Sequence, residues 1–140
     1  MIALHHVQVA CPPHGEDGAR RFYRDGIGLT EVEKPMALRG RGGAWFRAYG
    51  ARGAVVAEVH VGVEDPFGPA RKAHPAFVVD DLDAVAACVR RAGFEVDDRE
   101  RETFDGYLRF HTHDDAGNRV EVLQPAVGGH GMPGRAPMLA

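Results

Sequence analysis

Apolar and polar positions along the chain follow two periods, and the order in which these periods occur is repeated. Period-two alternation, typical of strands, covers about residues 4–10 and again about 73–79. Each run is followed by apolar positions at helical spacing, over about 16–25 and 82–92, with a glycine after each helix. Further strand-like runs follow each helix, so the sequence predicts the order βαβββ twice.

The remaining strands and the boundaries follow from shorter patterns. The predicted strands cover about residues 29–33, 44–49, 55–61, 95–99, 107–112 and 119–124. Residues 64–69 carry two prolines and form the linker, and 114–118 form a turn. We therefore expect an α+β fold of two βαβββ modules, whose curved mixed sheets flank a cleft. The modules span about 4–62 and 73–125 of one domain, 1–140, and a loose Gly- and Pro-rich tail covers 126–140.

Composition narrows the possible partners. The chain has 140 residues, 44% of them hydrophobic, and a net charge of −3, which gives no basis for binding nucleic acid or anionic membranes. No apolar run approaches the length of a membrane span. Cys11 and Cys88 have no spacing that pairs them, and no secretion signal is visible, so we expect a reduced, cytoplasmic protein.

Candidate ligand side chains recur at matching places in the two halves. His6 and His74 stand at the start of equivalent strands, while Glu58 and His60 share one strand face. Glu121 lies between two valines, where burial of a carboxylate without a charge partner would be costly unless a metal or a strong donor offset it. Together these side chains predict a shared polar or metal site between the modules. We expect surface or loop positions for His5, His14, His111, His113 and His130, although His111 and His113 share a face that could line the cleft.

The chain resembles the vicinal oxygen chelate superfamily, which includes glyoxalase I, extradiol dioxygenases and bleomycin-resistance proteins. The motifs that carry the resemblance are Leu4-His5-His6-Val7, Arg21-Phe22-Tyr23 with Gly28-Leu29, the stretch 73–82 and the stretch 117–122. The resemblance covers about residues 4–125. Because this superfamily hosts many reactions on one scaffold, the resemblance indicates the fold more strongly than the reaction.

The resemblance implies a ligand set and a cofactor. His6, His74 and Glu121 take three of the family's metal-ligand positions, and the fourth lies on the strand that holds Glu58 and His60. The Glu-Val pattern shared with Glu121 supports Glu58, whereas relatives with a His on this strand favour His60. We favour His60 as the ligand and Glu58 as a possible catalytic base. Such a set suits a divalent metal ion: Zn, Ni, Mn or Fe.

Three functions are compatible with this resemblance. The first is a metal-dependent lyase or isomerase that acts on a small substrate with adjacent oxygens. The second is an extradiol-type Fe(II) dioxygenase, since two histidines and a carboxylate also form the non-haem iron triad. The third is a non-enzymatic drug-binding resistance protein, which would not need the retained ligand set. The resemblance also implies a homodimer, because curved half-sheets leave edges that need to be covered.

Overall fold

Seven strands form two open mixed sheets in this computed structural model, which describes residues 1–127. The predicted tail beyond 127, including His130, lies outside the described residues. The strands of the first sheet are β1 (Val7–Cys11), β2 (Thr30–Val32), β3 (Ala44–Tyr49) and β4 (Val55–Val63). Their order is β1-β4-β3-β2, with β1 parallel to β4 and the other pairs antiparallel.

The second sheet repeats this topology with one strand fewer. It contains β5 (Ala76–Val78), β6 (Tyr107–His113) and β7 (Arg119–Pro125) in the order β5-β7-β6. The predicted strand at 95–99 is reduced to a single bridge between Asp97 and His111. The Asp97 carboxylate accepts the backbone N–H of Arg99, a local turn that competes with continued pairing. The expected α+β class with two curved mixed sheets is otherwise confirmed.

In each half, the first strand is followed by a helix at the predicted place. Helix α1 (Glu16–Ala19) continues as a π-helical segment, Arg20–Gly26, and α2 covers Leu82–Arg91. The side chain of Asp81 caps α2 by accepting the backbone N–H of Ala84 at 2.9 Å. Short 3₁₀ segments lie at Met36–Arg41 and Ala51–Gly53. Within the described residues, no helix is both long and apolar enough to cross a membrane.

One hydrophobic core lies between the helices and one face of each sheet. It contains Phe22, Tyr23, Phe46, Val59, Leu82, Val89, Phe110, Val120 and Val122, all fully buried. The helical segments also contact each other. Next to this contact, the ring of Phe22 packs edge to face on that of Phe94, which follows α2, with centroids 5.0 Å apart. Because the apolar sheet faces are turned to the helices, the polar residues that alternate with them lie on the opposite faces.

The turn at 114–118 joins the two halves through buried polar side chains. The hydroxyl of Tyr23 donates to Asp114 at 2.8 Å, and the amide of Asn118 donates to the carbonyl of Ala10 at 2.7 Å. Asn118 also accepts the backbone N–H of Ala70 at 2.9 Å. These satisfied bonds fix the linker and β1 against β7, so the polar faces of both sheets keep a defined relation.

Candidate metal centre

The two predicted histidines lie just ahead of the edge strands of the two sheets. His6 directly precedes β1, and His74 lies two residues before β5, where its Nδ1 is 2.8 Å from the carbonyl of Lys72. Both border a cavity of about 420 Å³ between the sheets, together with Glu58. The rest of its wall is largely apolar and includes Leu4, Val7, Val55, Val56, Pro75, Ala76 and Phe77. The cavity therefore contains candidate residues from both halves.

Strand register relates the candidates of the two halves to each other. His60 pairs with Gln8, two residues after His6, and Glu121 pairs with Ala76, two residues after His74. His60 and Glu121 thus occupy equivalent positions on β4 and β7. Glu58 lies two residues earlier on β4, so the Glu-Val motif that suggested an equivalence with Glu121 is out of register.

Three potential metal-donor side chains converge on the second sheet. The ring of His74 places Nε2 3.0 Å from Glu121 Oε2, and Nε2 of His111 lies 3.9 Å from Glu121 Oε1. One donor atom from each residue lies within 4.8 Å of the other two. The expectation of a surface position for His111 is wrong, because this residue is only 7% exposed and is paired across the sheet with Glu121. Alternation on β6, with Phe110 in the core, indicates which sheet face His111 occupies but not that it lies opposite Glu121.

Glu121 has a charge partner that the sequence did not reveal. The Nη1 of Arg109 donates to Glu121 at 2.9 Å, and the other side of the guanidinium contacts Glu100 at 3.1 Å. Burial opposes ionisation of Glu121, but the hydrogen bonds from Arg109 and His74 outweigh it, so the pKa of Glu121 lies below its usual range. Burial, followed by the positive charge of Arg119, lowers the pKa of His111. The pair therefore combines an ionised carboxylate with a neutral imidazole.

The equivalent face of the first sheet carries a second cluster of polar side chains, centred on Glu58. Glu58 accepts from Arg47 at 2.9 Å and lies 2.7 Å from Nε2 of His60. Burial raises and these two hydrogen bonds lower the pKa of Glu58, with a net shift downward. Burial lowers the pKa of His60. The ring of His60 is stacked between those of His6 and Trp45, at centroid distances of 4.0 and 3.8 Å.

The structure therefore divides the predicted set into two groups, one on each sheet. The three-donor group on the second sheet includes His74 and Glu121 but neither His6 nor His60. Alternation along a strand would place His5 on the opposite face from His6, but both border the same cavity, and the Nδ1 atoms of the two rings are 3.0 Å apart. Alternation does not apply to this pair, because β1 begins only at Val7.

Comparisons with known proteins agree with this architecture. The model of the Glyoxalase/Bleomycin resistance protein/Dioxygenase superfamily matches residues 4–122. A glyoxalase family protein from Bacillus anthracis is 38% identical, with a TM-score of 0.78 over 90% of this chain and 97% of that one. No curated protein matches significantly.

Two more distant structures share the fold. One is TnmS3, an antibiotic binding protein from Streptomyces sp. CB03234, with 21% identity and a TM-score of 0.62 over 90% of this chain and 99% of that one. The other is the fosfomycin resistance protein FosX from Listeria monocytogenes, a mutant in complex with Mn(II) and 1S,2S-dihydroxypropylphosphonic acid. It is 16% identical, with a TM-score of 0.63 over 91% of this chain and 94% of that one.

Proposed function

Since the chain belongs to the Glyoxalase/Bleomycin resistance protein/Dioxygenase superfamily, we propose that it is a small metal-dependent enzyme of the lyase or isomerase type. Its substrate is a small molecule with two adjacent oxygens. The observation that carries the proposal is the convergence of His74, His111 and Glu121, whose donor atoms lie within 4.8 Å of one another. Two imidazoles and a carboxylate suit Zn, Ni, Mn or Fe, so the residues present fit such an ion.

The proposed ligands are His6, His60, His74 and Glu121, while His111 lies beside Glu121 and supports the site without being one of the four. Register supports His60 over Glu58, because His60 is the equivalent of Glu121 in the repeated topology. The low pKa values of His60 and Glu121 favour a neutral imidazole and an ionised carboxylate, the forms in which these groups coordinate. The ion would act as a Lewis acid that polarises a substrate oxygen. The FosX neighbour binds Mn(II), which supports an ion of this class.

Glu58 is the proposed catalytic base. Its lowered pKa keeps the carboxylate ionised near neutral pH, so it can accept a proton from carbon or oxygen. It borders the cavity that His6 and His74 also line, and its bond to Arg47 fixes its orientation. His60, whose Nε2 lies 2.7 Å from Glu58, helps to orient the same carboxylate.

We place the complete site between two copies of the chain in a homodimer. The strands β1 and β5 are edges of their sheets in the described part of the chain, and the two halves meet through their helices. Large aliphatic side chains beside these edges are exposed, including Leu4, Val56 and Val78. A second copy that covers these edges would bring the first-sheet histidines of one chain to the second-sheet donors of the other.

Metal analysis and titration test the proposal. The purified protein should contain a divalent ion, and the Glu121→Gln variant should bind it at least about a hundredfold more weakly, because the charge is lost at constant shape. The matched control is Glu58→Gln, a buried carboxylate that also has one Arg and one His partner, which should weaken binding by no more than about tenfold, because Glu58 acts on the ion only through His60. Equal losses in both variants, or a metal-free protein that takes up no ion, would contradict the proposal.

The same measurement separates the two alternatives. Iron in the purified protein, with oxygen consumption on a catechol-type substrate, would favour the Fe(II) dioxygenase. A drug-binding protein is favoured by the apolar cavity wall, since Val56 is 66% exposed there, and by the antibiotic-binding neighbour. That alternative requires drug affinity that does not change when the metal is removed.

A further inference from the structure

A second cavity, of about 470 Å³, lies on the polar face of the second sheet beside the three-donor group. It is lined by Arg71, Asp97, Arg99, Glu100, His111, His113 and Arg119. His111 is shared with the three-donor group, so anything bound in this cavity lies next to the proposed metal centre.

The backbone brings two of these arginines together. The N–H of Arg119 donates to the carbonyl of Ala70 at 2.8 Å, which fixes Arg71 beside the start of β7. On the other side, His113 pairs with Arg119 across the sheet. These main-chain contacts place the backbone of Arg71 and that of Arg119 side by side at one end of the sheet.

Each acidic residue of the cavity has an arginine partner, although Glu100 shares Arg109 with Glu121. Asp97 accepts two bonds from the guanidinium of Arg99, at 2.8 and 2.5 Å, and Glu100 is 3.1 Å from Arg109. In the part of the chain that the structure describes, neither Arg71 nor Arg119 has a carboxylate within ion-pair distance. The cavity thus contains two arginines that have no carboxylate partner, and Arg119 is half-buried.

We propose that Arg71, Arg119 and His113 form a subsite for a phosphate or phosphonate group of the substrate. Two guanidinium groups match a dianion, whose tetrahedral oxygens accept several forked N–H donors at once. A carboxylate would offset only one of the two charges. The binding of the anion does not depend on the metal, whereas its assignment to the substrate rests on the proposed function.

The spacing of residues along β7 also indicates how far the anionic group of the substrate lies from its metal-binding oxygens. Arg119 and Glu121 lie on the same face of β7, two residues apart, which corresponds to about 7 Å along the strand. The anionic group therefore lies a few bonds from the oxygens that contact the metal. A phosphorylated or phosphonylated small molecule with adjacent oxygens meets both requirements.

Titration of the metal-free protein with inorganic phosphate, followed by NMR chemical shifts, tests the subsite. Phosphate should shift the signals of Arg119 and His113, and acetate should bind at least about fivefold more weakly. Arg119→Gln and Arg71→Gln should each weaken phosphate binding about tenfold. The control Arg90→Gln removes an exposed arginine of α2 and should leave binding unchanged.

The two proposals can fail separately. Arg119→Gln should leave metal affinity within about twofold, and Glu121→Gln should lose the metal but retain phosphate binding. Absence of phosphate binding, or equal weakening by Arg90→Gln, would overturn the anion subsite while the metal centre stands. Retention of metal by Glu121→Gln would overturn the metal centre while the anion subsite stands.

Discussion

On the first sheet, the position of β4 that pairs with Trp45 is His60, and on the second sheet the equivalent position of β7, paired with His111, is Glu121. The three strands that the sheets have in common share their order and, at this position, their register, so the difference here lies in the side chains. His60 is enclosed by aromatic rings. Glu121, by contrast, is surrounded by nitrogen donors, among them Arg109.

This difference assigns distinct roles to two halves of similar topology. The second sheet has a carboxylate and two imidazoles within 4.8 Å, a group able to start metal binding without the first sheet. The first sheet has a carboxylate, Glu58, whose partners are already satisfied, and a histidine stack. We infer that the second sheet takes up the ion, while the first sheet completes its coordination and supplies the base.

The largest expected effect concerns which chains share a site. The double variant His6→Gln/His60→Gln damages the first sheet only, and Glu121→Gln damages the second only. Each alone should bind metal at least about a hundredfold more weakly. After the two are unfolded and refolded together, heterodimers should regain about one intact site for every four chains, if each site takes one sheet from each chain.

Metal titration of the mixture, with sedimentation to confirm the dimer, checks this outcome. The control is the same refolding of each variant by itself, which should not restore metal binding. A mixture that binds no more metal than its separate components would place the complete site within one chain, and a monomer at micromolar concentration would contradict the assembly.

The next effect compares the arginines that hold the two carboxylates. Arg109→Met should destabilise the metal-free protein by about 3 kcal/mol, because both Arg109 and Glu121 are largely buried. Arg47→Met should cost clearly less, since Arg47 is 33% exposed and Glu58 keeps its bond to His60. Urea unfolding of both variants measures the difference.

A double variant shows whether the loss of stability in Arg109→Met comes from an unpaired buried charge. Arg109→Met combined with Glu121→Gln should be more stable than Arg109→Met alone, because no carboxylate is left without a cation. Equal destabilisation by Arg109→Met and Arg47→Met would show that the two carboxylates depend equally on their arginine partners for stability.

A smaller effect concerns the residues paired with His60 and Glu121. Replacement of His111 by Gln should weaken metal binding about tenfold, because its ring lies beside Glu121 and within the donor group. Trp45→Phe, at the equivalent position on the first sheet, keeps a ring against His60 and should change metal affinity less than about twofold. The same loss in both variants would mean that His111 acts only through packing.

The repeated fold could be read from periodicity, but the composition of the site could not. Helical spacing of apolar residues placed both helices, and alternation placed most strands correctly, because each buried face is defined by its own apolar residues. The strand expected at 95–99 is reduced to one bridge, at the point where the Asp97 carboxylate accepts the backbone N–H of Arg99. The charge partner Arg109 and the position of His111 depend on cross-strand register, which is set by tertiary pairing and is not visible in a single strand.

The smallest expected effect is the pH dependence that Glu58 confers. Its pKa in the folded protein lies below the value of about 4.3 expected in the unfolded chain, because the bonds from His60 and Arg47 outweigh burial. The unfolded state therefore binds more protons than the folded state as the pH falls, and the contribution of Glu58 to stability is complete above about pH 5 and lost below it.

Urea unfolding of the metal-free protein between about pH 6 and 3 should show a loss of stability for the wild type that exceeds that of Glu58→Gln by about 1 kcal/mol. The control Glu102→Gln, at an exposed position, should follow the wild type. If Glu58→Gln lost stability on acidification as steeply as the wild type, the carboxylate would not be held in its ionised form, and the first sheet would lose its proposed base.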